Sequence, residues 1–350
     1  MSVQLNTIVK EDISSIISQC DFSPLAGCKV LVTGANGHIA SYLALTLAEV
    51  RRRGIENVEV TVLSRNRENM LAIFGEYIVR GDIKILCQDV STSLPDQMDF
   101  DYVFHFAGNA SPHFISTDPV GILKSNIEGT FNMAEVCRRK EGSKLIFAST
   151  REVYGCNVTA DSLNESAFGS LDPLDSRSCY PESKRAAESV IAAYHNQFGL
   201  RYDIVRIAHV YGPGMKLAGD GRVMSDFINN AMHREPIRLN SDGTALRAFC
   251  YISDCIRALL LIAMTPEDTG VFNLSNETEE ISVGELARTI GNIAGGIEVT
   301  MRPQSPEAKA LYCSYKRKAL DCGKLFALGW RPEVKLRDGL ERTLAGSEPD

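Results

Sequence analysis

The stretch Val30-Leu31-Val32-Thr33-Gly34-Ala35-Asn36-Gly37-His38-Ile39-Ala40 limits the possible folds more than any other part of the chain. Three apolar residues read as a short buried strand, two glycines as a turn, and Ile39–Val50 carries helical periodicity. Gly34 allows the tight turn, and Gly37 lets the backbone approach a ligand. Ala40 keeps the small position where helix packs on strand. Amides at the start of such a helix face an anion, so the segment fits the pyrophosphate of a dinucleotide.

The rest of the first two thirds repeats the strand–helix alternation. Strands are expected at Val58–Leu63, Ile83–Leu86, Tyr102–Phe106, Lys144–Ala148 and Tyr202–Ile207, with helices at Arg67–Phe74, Ile127–Arg138 and Pro181–Phe198. Such alternation implies an α/β fold, a doubly wound parallel (Rossmann) sheet. After about Tyr211 the pattern loosens, with helices near Arg222–His233, Ser253–Ala263 and Val283–Ile293. The expected organisation is an N-terminal extension over residues 1–26, with a weak helix at Asp12–Cys20. A dinucleotide-binding domain over 27–210 follows, and then a smaller, mainly substrate-binding part over 211–350 whose segments are free to interleave with it.

Composition narrows the partners. A net charge of −7 argues against a nucleic-acid backbone. No apolar run approaches the ~18–20 residues of a membrane span, and Met1–Lys10 lacks the pattern of an export signal. The ten cysteines lack Cys-x-x-Cys spacing and the six histidines are scattered, so reduced thiols, a cytoplasmic location and no metal are expected.

Cofactor contacts are expected from Gly34, Asn36, Gly37, His38 and Ile39 of the turn, and from three later loops. The second strand ends Ser64-Arg65, where a carboxylate would select NAD and an arginine accommodates the 2′-phosphate of NADP. NAD or NADP fits, with NADP slightly favoured. Asp89 and Val90 follow the third strand, and Asp89 is placed for the adenine amino group. Phe106-Ala107-Gly108 end the fourth, beside the nicotinamide.

Tyr180 and Lys184 are four apart on one face of a helix that begins at this point. A tyrosine is a poor base near neutral pH, and a neighbouring cation favours its phenolate. Thr150 ends the fifth strand, where such sheets collect ligand groups, and its hydroxyl can bond the same substrate oxygen.

Gly34-x-x-Gly37, Thr150 and Tyr180-x-x-x-Lys184, in this order, resemble the extended short-chain dehydrogenase/reductase family, in particular its nucleotide-sugar epimerases, dehydratases and decarboxylases. The resemblance covers roughly residues 28–345. Ser149-Thr150-Arg151-Glu152-Val153-Tyr154-Gly155, Asp220-Gly221-Arg222-Val223, Arg247–Asp254, Lys316-Arg317-Lys318 and Leu328-Gly329-Trp330 resemble segments of UDP-glucuronate decarboxylases.

The resemblance implies a nucleotide-diphosphate sugar as substrate and a homodimer formed through the helices near Ile127–Arg138 and Pro181–Phe198. It further implies that Tyr180 takes a proton from a sugar hydroxyl, at C4, while hydride leaves to the nicotinamide. Glu152 serves the later steps at C5, a carboxylate kept in dehydratases and decarboxylases. Arg222 and Arg247 hold the diphosphate with Val223 beside them, and Arg317 lies near a sugar carboxylate. Decarboxylation is slightly favoured over epimerisation or dehydration.

Several residues depart from the family's pattern, among them Ala40, Ser64-Arg65 and Asn240, which replaces an aromatic near the nucleotide base, and two further residues stand out. Arg151 stands where dehydratases carry an acid, and His209 where an asparagine normally meets the diphosphate. Both are expected to touch substrate. The competing readings are an NADP-linked reductase or dehydrogenase with net redox, and a dinucleotide-sensing protein without catalysis. Retention of Tyr180, Lys184 and Thr150 speaks against the last.

Overall fold

The computed structural model describes residues 5–158, 160–266, 269–301 and 319–347. Seven parallel strands form the central sheet: β1 (Lys29–Thr33), β2 (Glu59–Ser64), β3 (Ile83–Cys87), β4 (Tyr102–His105), β5 (Lys144–Thr150), β6 (Arg201–Ile207) and β7 (Thr269–Leu274). Their spatial order is β3-β2-β1-β4-β5-β6-β7. The order reverses between β1 and β4, and the carboxyl ends of these two strands open the crevice where such sheets bind ligands.

Alternation along each strand builds a core on both faces. Val30 and Val32 of β1, Phe104 of β4, Ile146 of β5 and Val205 of β6 point into one core. Leu31, Val103, Leu145, Phe147 and Ile204 point into the other. The first face is covered by α2 (His38–Arg52), α3 (Arg67–Arg80) and α8 (Ile252–Met264), with α1 (Thr7–Gln19) packed on α2 and α8. The second face is covered by α5 (Pro119–Arg138) and α6 (Cys179–Phe198). Helices α4 (Pro112–Thr117), α7 (Val223–Met232) and α9 (Val283–Ile293) complete those used below.

The elements expected from the sequence are present, with shifted ends. Helix α1 starts at Thr7, not Asp12, because the side chain of Asn6 accepts the Val9 amide at 3.0 Å and caps it. Helix α3 runs past Phe74 to Arg80 and stops at Gly81, whose φ is +79°. Helix α5 starts at Pro119, after the Asp118 cap. Strand β5 continues to Thr150. Strand β7, from a region read as loosely organised, pairs with β6 from Thr269↔Tyr202 to Leu274↔Ile207. The chain after Tyr211 therefore contributes to the central sheet itself.

Two buried polar clusters tie distant elements together. Lys144 of β5 is 2.6 Å from Asp203 of β6, and its ammonium donates to the carbonyls of Ile262, Ala263 and Thr265 at the end of α8. A cation at a helix C-terminus satisfies carbonyls that have no partner within the helix. Asp12 of α1 accepts from the hydroxyls of Tyr42 (3.3 Å) and Tyr251 (2.9 Å), and from Arg342 at 2.8 Å. Arg342 lies on the C-terminal helix Leu336–Ala345.

Candidate active site

The glycine turn has the geometry a dinucleotide needs. Gly34 has φ +68°, and a Cβ there would stand 2.7 Å from the Ala107 amide nitrogen, so only glycine lets the two strand ends approach this closely. The Gly37 amide donates to the Gly34 carbonyl at 2.8 Å, and Gly37 caps α2 without any side-chain hydrogen bond. The first amides of α2, at His38 and Ile39, are thus not covered by a capping side chain. Asn36 Oδ1 is buried there without a partner. An uncapped helix start beside an unpartnered buried oxygen fits a nicotinamide dinucleotide, its pyrophosphate on the amides.

Below the turn, Thr33 joins β1 to β4. Its hydroxyl lies 2.8 Å from His105 Nδ1 and accepts the Ala107 amide at 3.2 Å. Burial and nearby Lys184 hold His105 down at about 3, so it stays neutral. The side chain of His38 is also buried and held down at about 3. It lies edge-on to Tyr42 and 3.0 Å from the Pro213 carbonyl, so it ties α2 to the C-terminal part.

Beyond the end of β2 Arg65 is exposed and pairs with Asp89 at 3.4 Å, while Asp89 also accepts the amide and hydroxyl of Ser91. The Val90 side chain packs against α5 near Gly129, and its carbonyl accepts from Asn132 at 2.8 Å.

The reactive groups meet where β5 ends and α6 begins. Thr150 closes β5 and caps the single turn Arg151–Tyr154, accepting the Glu152 amide at 3.2 Å. The Thr150 hydroxyl also acts on the Tyr180 phenol, lowering its pKa. One turn along α6, Lys184 is buried, donates to the Ala148 carbonyl at 2.8 Å and lies 4.6 Å from the Phe147 ring centroid. Thr150, Glu152, Tyr180 and Lys184, chosen from separate parts of the sequence, thus form one cluster. Gly108 borders it: its φ is +150°, and a Cβ there would collide with Asn126 Oδ1 and stand 3.3 Å from Lys184 Nζ.

The charges in this cluster are strongly displaced. Burial lowers the Lys184 ammonium to about 7, with Glu188 opposing it. Spacing alone led us to expect that Lys184 would bring Tyr180 down. In the folded chain burial, then Glu152, push Tyr180 up, against Thr150, Arg222 and Arg177, which lower it. Burial of the phenol outweighs the cations around it, while the Lys184 ammonium donates to a backbone carbonyl.

Several supporting residues escaped the sequence reading. Asn126 of α5 is fully buried and donates to Ser183 at 2.9 Å, leaving its own oxygen unpartnered near Gly108. Ser149 donates to Glu188 at 2.5 Å, and Arg206 of β6 holds the same carboxylate at 2.7 Å. Arg177 donates to Glu152 at 3.1 Å. Ser149 and Arg206 carried one signal, a polar residue in an otherwise apolar strand, and Arg177 on its polar turn carried none.

The remaining candidates stand on other segments. Arg222 precedes Val223, the first residue of α7, and pairs with Asp220, while its charge is felt at both Tyr180 and His38. Arg247 donates to the Leu246 carbonyl at 2.7 Å on a short strand paired with Ile281–Ser282. His209 has φ +45°, with its ring 5.7 Å from that of Phe249. Arg151 is half-buried at the start of the turn after β5. Arg317 lies outside the described residues.

Comparison with known proteins agrees with this geometry. UDP-glucuronic acid decarboxylase 3 of Arabidopsis thaliana is 34% identical over 314 residues, covering 89% of this chain and 86% of the relative. The crystal structure of UDP-glucose 4-epimerase from Thermotoga maritima, with UDP-glucose, is 26% identical with a TM-score of 0.74, covering 91% of this chain and 98% of that one. UDP-glucose 4-epimerase of Thermus thermophilus, in complex with NAD, is 26% identical with a TM-score of 0.72 over the same shares. The profile of the NAD dependent epimerase/dehydratase family matches residues 30–275. This chain belongs to the NAD dependent epimerase/dehydratase family.

Proposed function

We propose that this enzyme oxidises C4 of a nucleotide-diphosphate sugar transiently and that its preferred substrate is a UDP-uronic acid, which it decarboxylates. The observation that carries this reading is the turn after β5, where Thr150 caps the residues that carry Glu152 and both act on the buried Tyr180 phenol. A nicotinamide dinucleotide, held on the turn Gly34–Ile39, would supply a hydride acceptor for C4 and the means to return it. Tyr180 takes the C4 hydroxyl proton, Thr150 holds that oxygen, and Lys184 keeps a positive field beside it. The ketone so formed lies β to the sugar carboxylate, whose C–C bond then breaks to release carbon dioxide, leaving its electrons on the C4 oxygen. Glu152 faces the C5 side and exchanges the proton there. Arg222 and Arg247 hold the diphosphate, Val223 and His209 flank it, and Arg151 and Arg317 serve the sugar end.

Product mass spectrometry on a panel of nucleotide sugars tests this. Loss of carbon dioxide from UDP-glucuronate, without stoichiometric added nicotinamide, is the expected result. Loss of water or an unchanged mass with inverted C4 points to the sister reactions, and a panel left untouched and unbound sinks the reading.

Ser64-Arg65 supports a second reading, an NADP-linked reductase or dehydrogenase with net redox. Stoichiometric nicotinamide consumption distinguishes it. Arg65 also bears on cofactor choice, where we favour NADP slightly over NAD, although the Asp89 carboxylate beside Arg65 opposes a 2′-phosphate. Titration of the enzyme with each dinucleotide measures the preference.

We further infer a cytoplasmic homodimer. No helix among the described residues is long and apolar enough to cross a membrane. An apolar groove on α5 and α6, lined by Phe131, Val190, Ala193, Tyr194 and Phe198, suits a second copy.

A further inference from the structure

We infer that Arg177 is a positioning residue: by pairing with Glu152 it allows the Glu152 carboxylate and the Tyr180 phenolate to be negatively charged in the same site. This rests on the reading of Tyr180 as the base.

The difficulty is electrostatic. Tyr180 is buried, and Glu152 is placed on the turn capped by Thr150, with both residues acting on the phenol. Two anions this close, away from water, repel each other strongly, and the proton is retained on one of them. Catalysis by the proposed route needs both carboxylate and phenolate. The Lys184 ammonium is engaged by the Ala148 carbonyl, and Arg222 by Asp220. The groups that face Tyr180 are therefore Thr150 and Glu152 from the end of β5 and its turn, Lys184 from its own helix, Arg222 from the start of α7, and Arg177. The side chains of Ile115 and Ile122 close the apolar side.

Arg177 is built to answer this. It follows two tight turns, in which Asp172 accepts the Leu174 amide and Asp175 accepts the Arg177 amide, at 2.9 and 2.8 Å. These turns deliver its guanidinium to Glu152 Oε1 at 3.1 Å, with both side chains about three-quarters buried, at 25% and 24% exposure. Arg177 is also three residues ahead of Tyr180, and its charge acts on the phenol in the direction opposite to Glu152. One cation thus serves two anions that belong to different steps. A guanidinium suits the task because it stays charged at any working pH.

The test needs no sugar. Tyrosinate absorbance of the holoenzyme with NAD is titrated, and the same titration of Tyr180→Phe is subtracted to isolate one phenol. The parent's midpoint is the reference against which each variant is read. In Arg177→Gln, and in Arg177→Met as a second neutral variant, it moves up by about 1 pH unit or more. Arg177→Lys restores most of the shift. Arg177→Gln combined with Glu152→Gln returns the midpoint close to that of the parent, which a merely structural role for Arg177 would not do. Circular dichroism verifies the fold of each variant.

Neutral variants that leave the midpoint in place, or a double variant that stays shifted, overturn the inference. The sugar panel can fail while this titration succeeds, so the two readings are judged separately.

Discussion

Gly34 and Lys184 show how single positions hold the site in a state that the chain would not choose elsewhere. At Gly34 a side chain meets both a left-handed backbone and the Ala107 amide. Gly34→Ala is expected to lose about 1–3 kcal/mol of stability and to weaken dinucleotide binding, read from thermal melts and from a binding titration. Lys184 titrates at about 7 in the folded chain, against about 10.4 when unfolded. Between those values the unfolded chain binds the additional proton, so this site's contribution to stability rises with pH above 7 and levels off near 10. Lys184→Met is therefore expected to be more stable than the parent apoenzyme at pH 7, by at least about 1 kcal/mol. That difference should shrink as the pH approaches 10, and urea midpoints at several pH values would show it. An unchanging difference would mean that Lys184 is already solvated. The Tyr180–Lys184 pair was legible in the sequence because helical spacing is local. Arg177, Asn126 and Glu188 were not, since their partners at Glu152, Ser183 and Ser149 come together only through packing.

At the level of elements, helix α1 is held by more than apolar contact. Val9, Ile13 and Ile16 are buried, and Asp12 gathers Tyr42, Tyr251 and Arg342 around one carboxylate. Asp12→Ala removes the acceptor for all three and is expected to lower stability by about 2–3 kcal/mol, seen as a fall in the urea midpoint. Asp12→Asn should recover part of it. The helix itself was half visible in the sequence, as a weak pattern beginning at Asp12, because the Asn6 cap comes before any apolar repeat. Strand β7 was invisible for a different reason. It places Gly270 and Asn273 among its apolar residues, and only pairing with β6 makes it a strand. Asn273 is nevertheless fully buried, accepting from the Tyr154 hydroxyl at 2.6 Å and donating to the carbonyls of Leu163 and Asp321. A polar residue in a buried strand is tolerated when every hydrogen-bonding group is satisfied.

Across the whole molecule, the fold class followed from the alternation of strands and helices, but the division at Tyr211 did not describe how the chain returns to the sheet. The α5–α6 face leads to a further expectation. Phe131 and Phe198 are about half exposed there, and a charge placed among them should prevent two copies from joining. Phe131→Glu is expected to convert a dimer to a monomer in sedimentation or light scattering without unfolding it; a parent that is already monomeric would refute the homodimer. The pairing of Asp12 with Arg342 spans 330 positions of sequence. During synthesis α1 is made 330 residues before Arg342 and waits roughly tens of seconds for it, given ~5–20 residues per second. Until release of its final helix, a nascent chain holds an acidic group with no cation to meet it. Truncation that removes Arg342 should therefore be felt at α1, as premature exposure of that helix to proteases.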